Sequence, residues 1–211
     1  IISLNFVNLF AKDIPVIVIT ASKKPQSLST IGTSVTVLDE KFFNKTSEYF
    51  LGDALATSST SANFFQSGGH GTSSAIQLRG MPKRYSTVYI DGVKMSDPSS
   101  VSNDFDFNNI LTSQVSRVEI LKGNQSSIYG SGAIGGTIHI TTKKGEPGFK
   151  KDVAYSTGSN GTHNLSTSVS GGDENLLFYV GIQRFQTDVI SALDHNDEKD
   201  RYRNNGLVAS F

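Results

Sequence analysis

Hydrophobic and polar residues alternate with a period of two along much of this chain, a pattern typical of β-strands. Between residues 14 and 145 the alternating segments are short, and helical patterns separate them. Asp39 is placed to cap a short helix. One face of a second helix is formed by Phe50, Leu51, Ala54 and Leu55. The strands predicted here are 14–22, 34–38, 74–80, 86–95 with a hairpin turn at Asp91-Gly92, 116–123 and 136–144. Together these patterns predict a small mixed α+β unit.

Beyond residue 145 the alternating segments lengthen to about ten residues, which is typical of outer-membrane β-barrel strands. A soluble antiparallel sheet accounts for each segment equally well. Four strands cannot close a transmembrane barrel, because an open edge is not viable in lipid. The short link 171–175 fits a periplasmic turn, and the long polar link 188–205 fits an extracellular loop. The predicted segments are 151–158, 162–170, 176–187 and a fourth that starts at 206.

Composition excludes several kinds of chemistry. Lys and Arg together number 19, as do Asp and Glu, so no net charge favours binding to nucleic acid. The chain has no Cys, which excludes disulfides, thiolate metal sites and Cys nucleophiles. The 4 His residues show no ligand spacing; His139 is expected to be structural, and His70 is the one to test. Because no Ser/His/Asp or paired-carboxylate arrangement is present, we expect no enzyme.

The chain opens with the apolar run IISLNFVNLFA, residues 1–11. Its length fits the apolar part of a signal peptide, and it is too short to span a bilayer as a helix. A buried strand or helix is the alternative. A signal-peptide remnant would place the start of the mature chain near Lys12 and would mean that the protein is exported.

A glycine fingerprint stands at residues 130–135, where Gly130, Gly132 and Gly135 fit the pattern G-x-G-x-x-G of dinucleotide-binding sites. Such a site needs a helix directly after the glycines. The segment that follows is TIHITT, which alternates strictly and is rich in β-branched residues. It predicts a strand, so we expect these glycines to allow a sharp turn rather than to bind a nucleotide.

Several motifs in a fixed order resemble the plug domain of TonB-dependent outer-membrane receptors. They are VIVITAS, SSAIQLRG, STVYIDGVKM and VSRVEILKGNQSSIYGSGAIGGTIHITTKKG. Asn124 stands where the family often has Pro, a departure that affects one turn. The resemblance implies an α+β plug domain followed by the first antiparallel strands of a 22-stranded transmembrane β-barrel. The expected divisions are the signal remnant 1–11, TonB box and linker 12–30, plug 31–146 and truncated barrel strands 147–211.

The resemblance also implies an energy source, since an outer membrane holds no ATP. The partner is TonB with its inner-membrane energising complex, and the expected location is the bacterial outer membrane, in contact with its lipid. A β-prone strip is suited to edge-to-edge pairing with a partner strand, which resists pulling through its backbone hydrogen bonds. An ordinary plug strand is the alternative. The residues that match the TonB box are Val16, Ile17, Val18, Ile19 and Thr20.

Two Gly- and Ser-rich plug loops are the expected substrate contacts, because their backbone donors suit a large polar ligand. Plain surface loops are the alternative. The residues predicted to contact substrate are Gly69, His70, Gly71, Thr72, Ser73 and Ser74 in the first loop, and Pro98, Ser99, Ser100, Val101, Ser102 and Asn103 in the second.

Charged plug positions match those that meet the barrel in the family, namely Arg79, Arg117 and Glu119. Buried charges need partners, and carboxylates on strands beyond this chain are the expected mates. Ordinary surface salt bridges are the alternative.

Four carboxylates, Asp188, Asp194, Asp197 and Asp200, fall in one predicted extracellular loop. Their spacing fits no EF-hand, and such a run is commonly a solvated loop. The alternative interpretation is a Ca²⁺ site, which the similarity to vitamin B12 receptors implies because the equivalent loops of those receptors bind calcium. No other cofactor is expected.

Compact plug loops make the chain resemble the cobalamin receptors most among its family. The 7 residues from Met81 to Thr87 carry the chain from Arg79-Gly80 into the next strand. The expected ligand is therefore cobalamin, with a ferric siderophore, another ferric chelate or haem as the alternative. A soluble periplasmic binding module or a surface adhesin is the alternative of a different class.

Overall fold

The computed structural model describes residues 18–19, 26–27, 32–58, 62–100, 105–173, 175–189 and 200–211. The chain divides into two compact units, Ile1–Gly32 and Thr33–Phe211. In the first unit, β1 (Val18–Ile19) pairs antiparallel with β2 (Gln26–Ser27). Of the predicted TonB box, Val16, Ile17 and Thr20 lie outside the described residues, as does the predicted signal remnant.

The second unit begins with the plug, in which a five-stranded sheet and a two-stranded sheet accompany three short helices. Its strands are β3 (Ser34–Leu38), β4 (Ala62–Gln66), β5 (Ser74–Leu78), β6 (Ser86–Ile90), β7 (Val93–Met95), β8 (Val115–Lys122) and β9 (Gly136–Thr142). Its helices are α1 (Glu40–Phe43), α2 (Leu51–Ser58) and α3 (Ser126–Tyr129). The larger sheet has the order β3-β8-β9-β6-β7, with only β6 and β9 parallel among its paired strands, and β4 pairs with β5.

The predicted helices and hairpin are confirmed in their local geometry. Asp39 caps α1, its Oδ1 accepting from the Phe42 amide at 3.1 Å. The α2 residues Leu51 and Leu55 are fully buried against the sheets, because they share one face of the helix. Asp91-Gly92 joins β6 to β7 with positive φ angles of 47° and 83°, as a tight hairpin turn requires.

The glycine fingerprint serves a turn, as the sequence predicts. Gly130 ends α3 with a φ of 86°, and Gly136 opens β9 with a φ of 145°. A Cβ at Gly136 would collide with the carbonyl oxygen of Leu121 on β8, so the close approach of these strands requires glycine. A strand follows, and no helix N-terminus is there to face a pyrophosphate.

The plug is followed by a four-stranded antiparallel sheet whose neighbouring strands are consecutive in sequence. Its strands are β10 (Gly148–Gly158), β11 (Thr162–Gly172), β12 (Leu177–Val189) and β13 (Asp200–Ser210). The predicted extent of the last link, 188–205, is wrong, because the β12–β13 ladder continues through polar residues to Val189 and Asp200. The link between these strands is therefore 190–199.

Alternation along these strands separates two faces. On β12 the side chains of Tyr179, Gln183 and Phe185 are buried, whereas Ile182 is 53% exposed. The same outward face on β10 and β13 exposes Val153 and Leu207. Among the described residues, no helix has the length and apolar character needed to cross a membrane.

Candidate functional site

The plug contacts the inner face of the four strands at successive heights. At one end, a Cβ at Gly145 would lie 2.5 Å from the backbone nitrogen of Phe178. Midway, the Ser113 hydroxyl donates to the Gln183 side-chain oxygen, and Gln183 Nε2 donates to Asn164 Oδ1 at 2.6 Å. Further along β12, Phe185 reaches plug rings near the 190–199 link. The order of these contacts shows which plug residues lie at each end of the strands.

An aromatic cluster joins the first predicted substrate loop to β12 and β13. The rings of Phe50 and Phe185 meet edge to face at 4.9 Å, and both are buried. The His70 imidazole stacks on Phe50 at 4.8 Å, with Phe185 at 5.5 Å and Tyr202 at 5.9 Å. His70 is nevertheless exposed to solvent. The cluster therefore presents His70 to solvent at the end of the strands beside the 190–199 link.

Asp106 fixes this loop from the segment that precedes β8. Its Oδ1 accepts from the backbone amide of Ser74 at 3.1 Å, the Ser74 hydroxyl at 2.6 Å and the Asn108 amide at 3.1 Å. Asn108 Nδ2 donates to the carbonyl oxygens of Gly71 and Thr72 at 3.3 and 3.2 Å. Sequence reasoning missed both Asp106 and Asn108, which lie more than 30 residues from the residues that they hold.

The structure corrects one residue of the predicted loop. Ser74 is 2% exposed, and its hydroxyl donates to Asp106 while accepting from the Phe107 amide at 3.1 Å. This hydroxyl holds the loop, so we no longer expect it to contact substrate. Thr72 is half-buried and its hydroxyl donates to the Gly69 carbonyl at 2.9 Å. The exposed members of the loop are Gly69, His70, Gly71 and Ser73.

The second predicted substrate loop is described only in part. Pro98 and Ser99 are exposed, and Ser100 is half-buried. The amide and hydroxyl of Ser99 donate to Asp97 Oδ1 at 2.9 and 2.6 Å, a local turn on the surface. Val101, Ser102 and Asn103 lie outside the described residues. Substrate contact by this loop remains a prediction.

Two of the three predicted contact charges pair with each other on β8. Arg117 Nε lies 2.7 Å from Glu119 Oε1, and the Glu119 side chain is 2% exposed. Glu119 therefore has an ion-pair partner, Arg117, within the plug. Arg79 lies elsewhere: it is exposed, and a Cβ at Gly123 would lie 3.3 Å from its Nη1. Burial, followed by the charge of Arg79, lowers the pKa of the neighbouring Lys122.

Glu119 lies on a sheet face that carries a cluster of three rings, those of Tyr89, Tyr129 and His139. His139 is the ladder partner of both Glu119 and Tyr89. The His139 and Tyr89 rings lie parallel at 4.7 Å, and Tyr129 meets His139 at 5.2 Å. Burial lowers the pKa of His139 to about 4, while the Glu119 carboxylate partly opposes that shift. The expected structural role of His139 fits this packing as a neutral ring.

A cavity of about 520 Å³ lies between the plug and the inner faces of β10–β12. Both polar and apolar side chains line it, and its charged and amide side chains come from the plug and from the strands. Six residues that line it are Glu48, Lys143, Asp152, Asn164, Ser166 and Gln183.

The predicted calcium carboxylates do not all lie in one loop, because two of them belong to strands. Asp188 is in β12, where its Oδ1 lies 3.0 Å from Arg201 Nε, and Asp200 begins β13. Asp194 and Asp197 lie outside the described residues. In the part of the chain that the structure describes, no group of three acidic or His side chains is arranged to hold a metal ion. Calcium binding remains a prediction.

Comparison with known proteins places the fold. Residues 27–137 match the TonB-dependent Receptor Plug Domain family. The siderophore receptor PiuA from Acinetobacter baumannii is 23% identical with a TM-score of 0.63, over 77% of this chain and 22% of that chain. The ferric yersiniabactin uptake receptor FyuA from Yersinia pestis is 22% identical with a TM-score of 0.65, over 86% and 29%. The ferripyoverdine receptor of Pseudomonas aeruginosa is 19% identical with a TM-score of 0.69, over 81% and 22%.

The chain spans less than a third of the length of these solved receptors. These three proteins are named as receptors for a siderophore, ferric yersiniabactin and ferripyoverdine, respectively. The plug match covers more than half of the chain, and β10–β13 follow it as the first barrel strands. The chain therefore belongs to the TonB-dependent receptors, which are transport proteins of the bacterial outer membrane rather than enzymes.

Proposed function

We propose that the full-length protein takes up a ferric siderophore across the outer membrane, driven by TonB. The observation that carries this proposal is the position of the first predicted substrate loop, residues 66–74, against Phe185 of β12 and Tyr202 of β13, close to the end of β12 at Val189 and the start of β13 at Asp200. Long links of such barrels face the exterior, so this loop meets a ligand that arrives from outside. The siderophore receptors of similar fold support the choice of a ferric siderophore over cobalamin.

The chemistry of the loop suits a large, oxygen-rich chelate. The exposed His70 ring packs on Phe50, and its imidazole nitrogens can hydrogen-bond to ligand oxygens. Exposed Gly69 and Gly71 leave the backbone accessible at the same place. Asp106 and Asn108 hold the loop in position, so little ordering entropy is lost when a ligand binds.

Energy for transport would come through the strip around β1. Val18–Ile19 has the extended backbone that edge-to-edge pairing with a TonB strand requires. In the second unit, the hydrogen bonds of Ser113 and Asn109 to the strands can be exchanged for bonds to water at little cost, which favours displacement of the plug. The proposal has two steps: the ligand binds at the loop 66–74, and TonB then pulls on the N-terminal strip around β1.

Titration of the purified full-length receptor with ferric siderophores of several chemical types, and with cobalamin, tests the ligand. We expect saturable sub-micromolar binding of one ferric chelate and none of cobalamin; the reverse result would refute the ferric assignment.

The site itself is tested by His70→Ala, for which we expect about tenfold weaker binding because one hydrogen bond or stacking contact is lost. His163→Ala is the matched control, since His163 is exposed on the outward face of β11. Equal affinities of the wild type and His70→Ala would show that this loop is not the ligand site.

A further inference from the structure

The outward face changes from apolar to basic within one outward position on β12 and within two on β13. Outward residues of β12 run through Val180 and Ile182 and then reach Arg184. On β13 the outward Leu207 is followed towards the 190–199 link by Asn205 and then Arg203. Ile182 and Leu207 are ladder partners, so the apolar surface of both strands ends at the same level.

Ladder register brings the two arginines together. Arg184 pairs with Asn205, and Arg203 pairs with Gln186, the next outward position on β12. Arg184 and Arg203 are therefore diagonal neighbours on one face, within reach of a shared ligand. Both side chains are exposed.

A third outward arginine is already engaged. Arg201 Nε lies 3.0 Å from Asp188 Oδ1 on the neighbouring strand. Within the described part of the chain, no acidic side chain forms an ion pair with Arg184 or Arg203. The patch of Arg184, Arg203, Arg201 and Asp188 therefore carries a net positive charge beside the apolar surface.

An aromatic residue marks the same height on the adjacent strands. The Tyr155 hydroxyl lies 2.9 Å from His163 Nδ1, and both side chains face outward. His163 is the ladder partner of Gln186, which is the next outward position after Arg184 on β12. Aromatic side chains form girdles at the two membrane interfaces of transmembrane barrels, and a charged lipid-facing side chain is tolerated there but not at the midplane. Arginines at this height, close to the end of β12 and the start of β13, match what is expected of side chains at the external membrane interface, where such barrels carry their longer links.

We infer that Arg184 and Arg203 bind the phosphate groups of a phosphorylated glycolipid in the external leaflet. Guanidinium groups match phosphate oxygens in a bidentate geometry, and their planar groups hold their charge at every physiological pH. The apolar rows ending at Ile182 and Leu207 lie directly below, where acyl chains of the same lipid would pack. The arginines can thus bind the phosphate groups of an anionic lipid while the apolar rows contact its acyl chains.

Binding of bis-phosphorylated lipid A to the full-length receptor in detergent tests this inference, with affinity measured by native mass spectrometry. The variant is Arg184→Gln with Arg203→Gln. The control is Lys151→Gln, which removes one outward charge at the opposite end of β10, where Lys151 lies over the Phe149 ring at 5.1 Å. We expect the double variant to bind about tenfold or more weakly, and the control within twofold of wild type.

Three outcomes would overturn the inference: unchanged lipid affinity in the double variant, an equal loss in Lys151→Gln, or inorganic phosphate that binds as tightly as the lipid. The last would identify a simple ion site. Ferric chelate affinity is measured on the same samples and is expected to be equal in all of them, which shows that the variants are folded. A loss of chelate binding confined to the double variant would also count against a purely lipid-facing role.

Discussion

The ring of Tyr202 on β13 lies directly against the backbone of Gly71 in the plug loop. A Cβ at Gly71 would lie 2.5 Å from Tyr202 Cε2, and Gly71 has a φ of 89°. Tyr202 also packs with Phe50 and Phe185, and its hydroxyl donates to Asn109 Oδ1 at 3.3 Å. The loop 66–74 therefore packs against β13 through a contact that only glycine permits at position 71.

Gly71→Ala is expected to move the loop 66–74 away from the Tyr202 ring. The substitution adds a left-handed backbone strain of about 1–2 kcal/mol and a steric overlap with Tyr202 of about 1–3 kcal/mol. Gly80→Ala is the control, because Gly80 has a φ of 72° but open space where its Cβ would stand. Amide hydrogen exchange of residues 66–74 in the full-length receptor should accelerate in Gly71→Ala and stay at the wild-type rate in Gly80→Ala. Equal hydrogen-exchange rates in the wild type and both variants would show that the contact with Tyr202 does not hold the loop in place.

Ser74→Ala removes a hydroxyl that both donates to Asp106 and accepts from the Phe107 amide. Because these groups are buried, we expect a loss of about 1–3 kcal/mol in local stability. Ser99→Ala removes the same kind of bond to Asp97 at the surface and should cost less than about 0.5 kcal/mol. Denaturant-dependent hydrogen exchange of β5 gives both values. A Ser74→Ala loss as small as that of Ser99→Ala would show that the Asp106 network does not hold the loop.

Local patterns predicted most of the strands because a strand's alternation is recorded in its own residues. β8, β9 and the inner and outer faces of β12 follow directly from that period. β4 was missed because Phe64 and Phe65 are adjacent and break the alternation, and its pairing with β5 comes from tertiary packing. The polar ends of β12 and β13 were assigned to a loop for a similar reason, since polar residues continue the ladder there.

The candidate site was predictable only as a loop. The sequence singles out His70 and its glycines, but Phe185 and Tyr202 lie more than 100 residues away, and no spacing rule links them to the loop. Asp106 reads as an ordinary loop carboxylate until the fold brings it to Ser74. Contacts between the plug and the strands depend on register across the interface, which a single sequence does not record.

Stability of the plug is expected to fall as the pH drops from 6.5 towards 4. The ordinary pKa of His is 6.5, and burial lowers that of His139 to about 4 in the fold, so the unfolded chain binds the additional proton in this window. The contribution is fully present above pH 6.5, falls as the pH decreases and stops changing below about 4. Its size is on the order of 3 kcal/mol. Guanidinium unfolding at several pH values should show this dependence in the wild type and a smaller one in His139→Gln; parallel curves would exclude His139 as the cause.

Val18→Pro is expected to abolish energised uptake while leaving ligand affinity unchanged. Val18 lies in an extended strand whose ladder partner is Ser27, and proline removes the amide donor that edge-to-edge pairing with a TonB strand needs. Val18→Ala is the matched control, since it retains the amide and should support uptake within about twofold of wild type. Uptake of the radiolabelled ferric chelate by cells, with and without TonB, is measured beside its binding to the purified receptor. Uptake by Val18→Pro at the wild-type rate would place the pulling contact elsewhere in the chain, whereas loss of both binding and uptake would mean that the first unit also supports the ligand site.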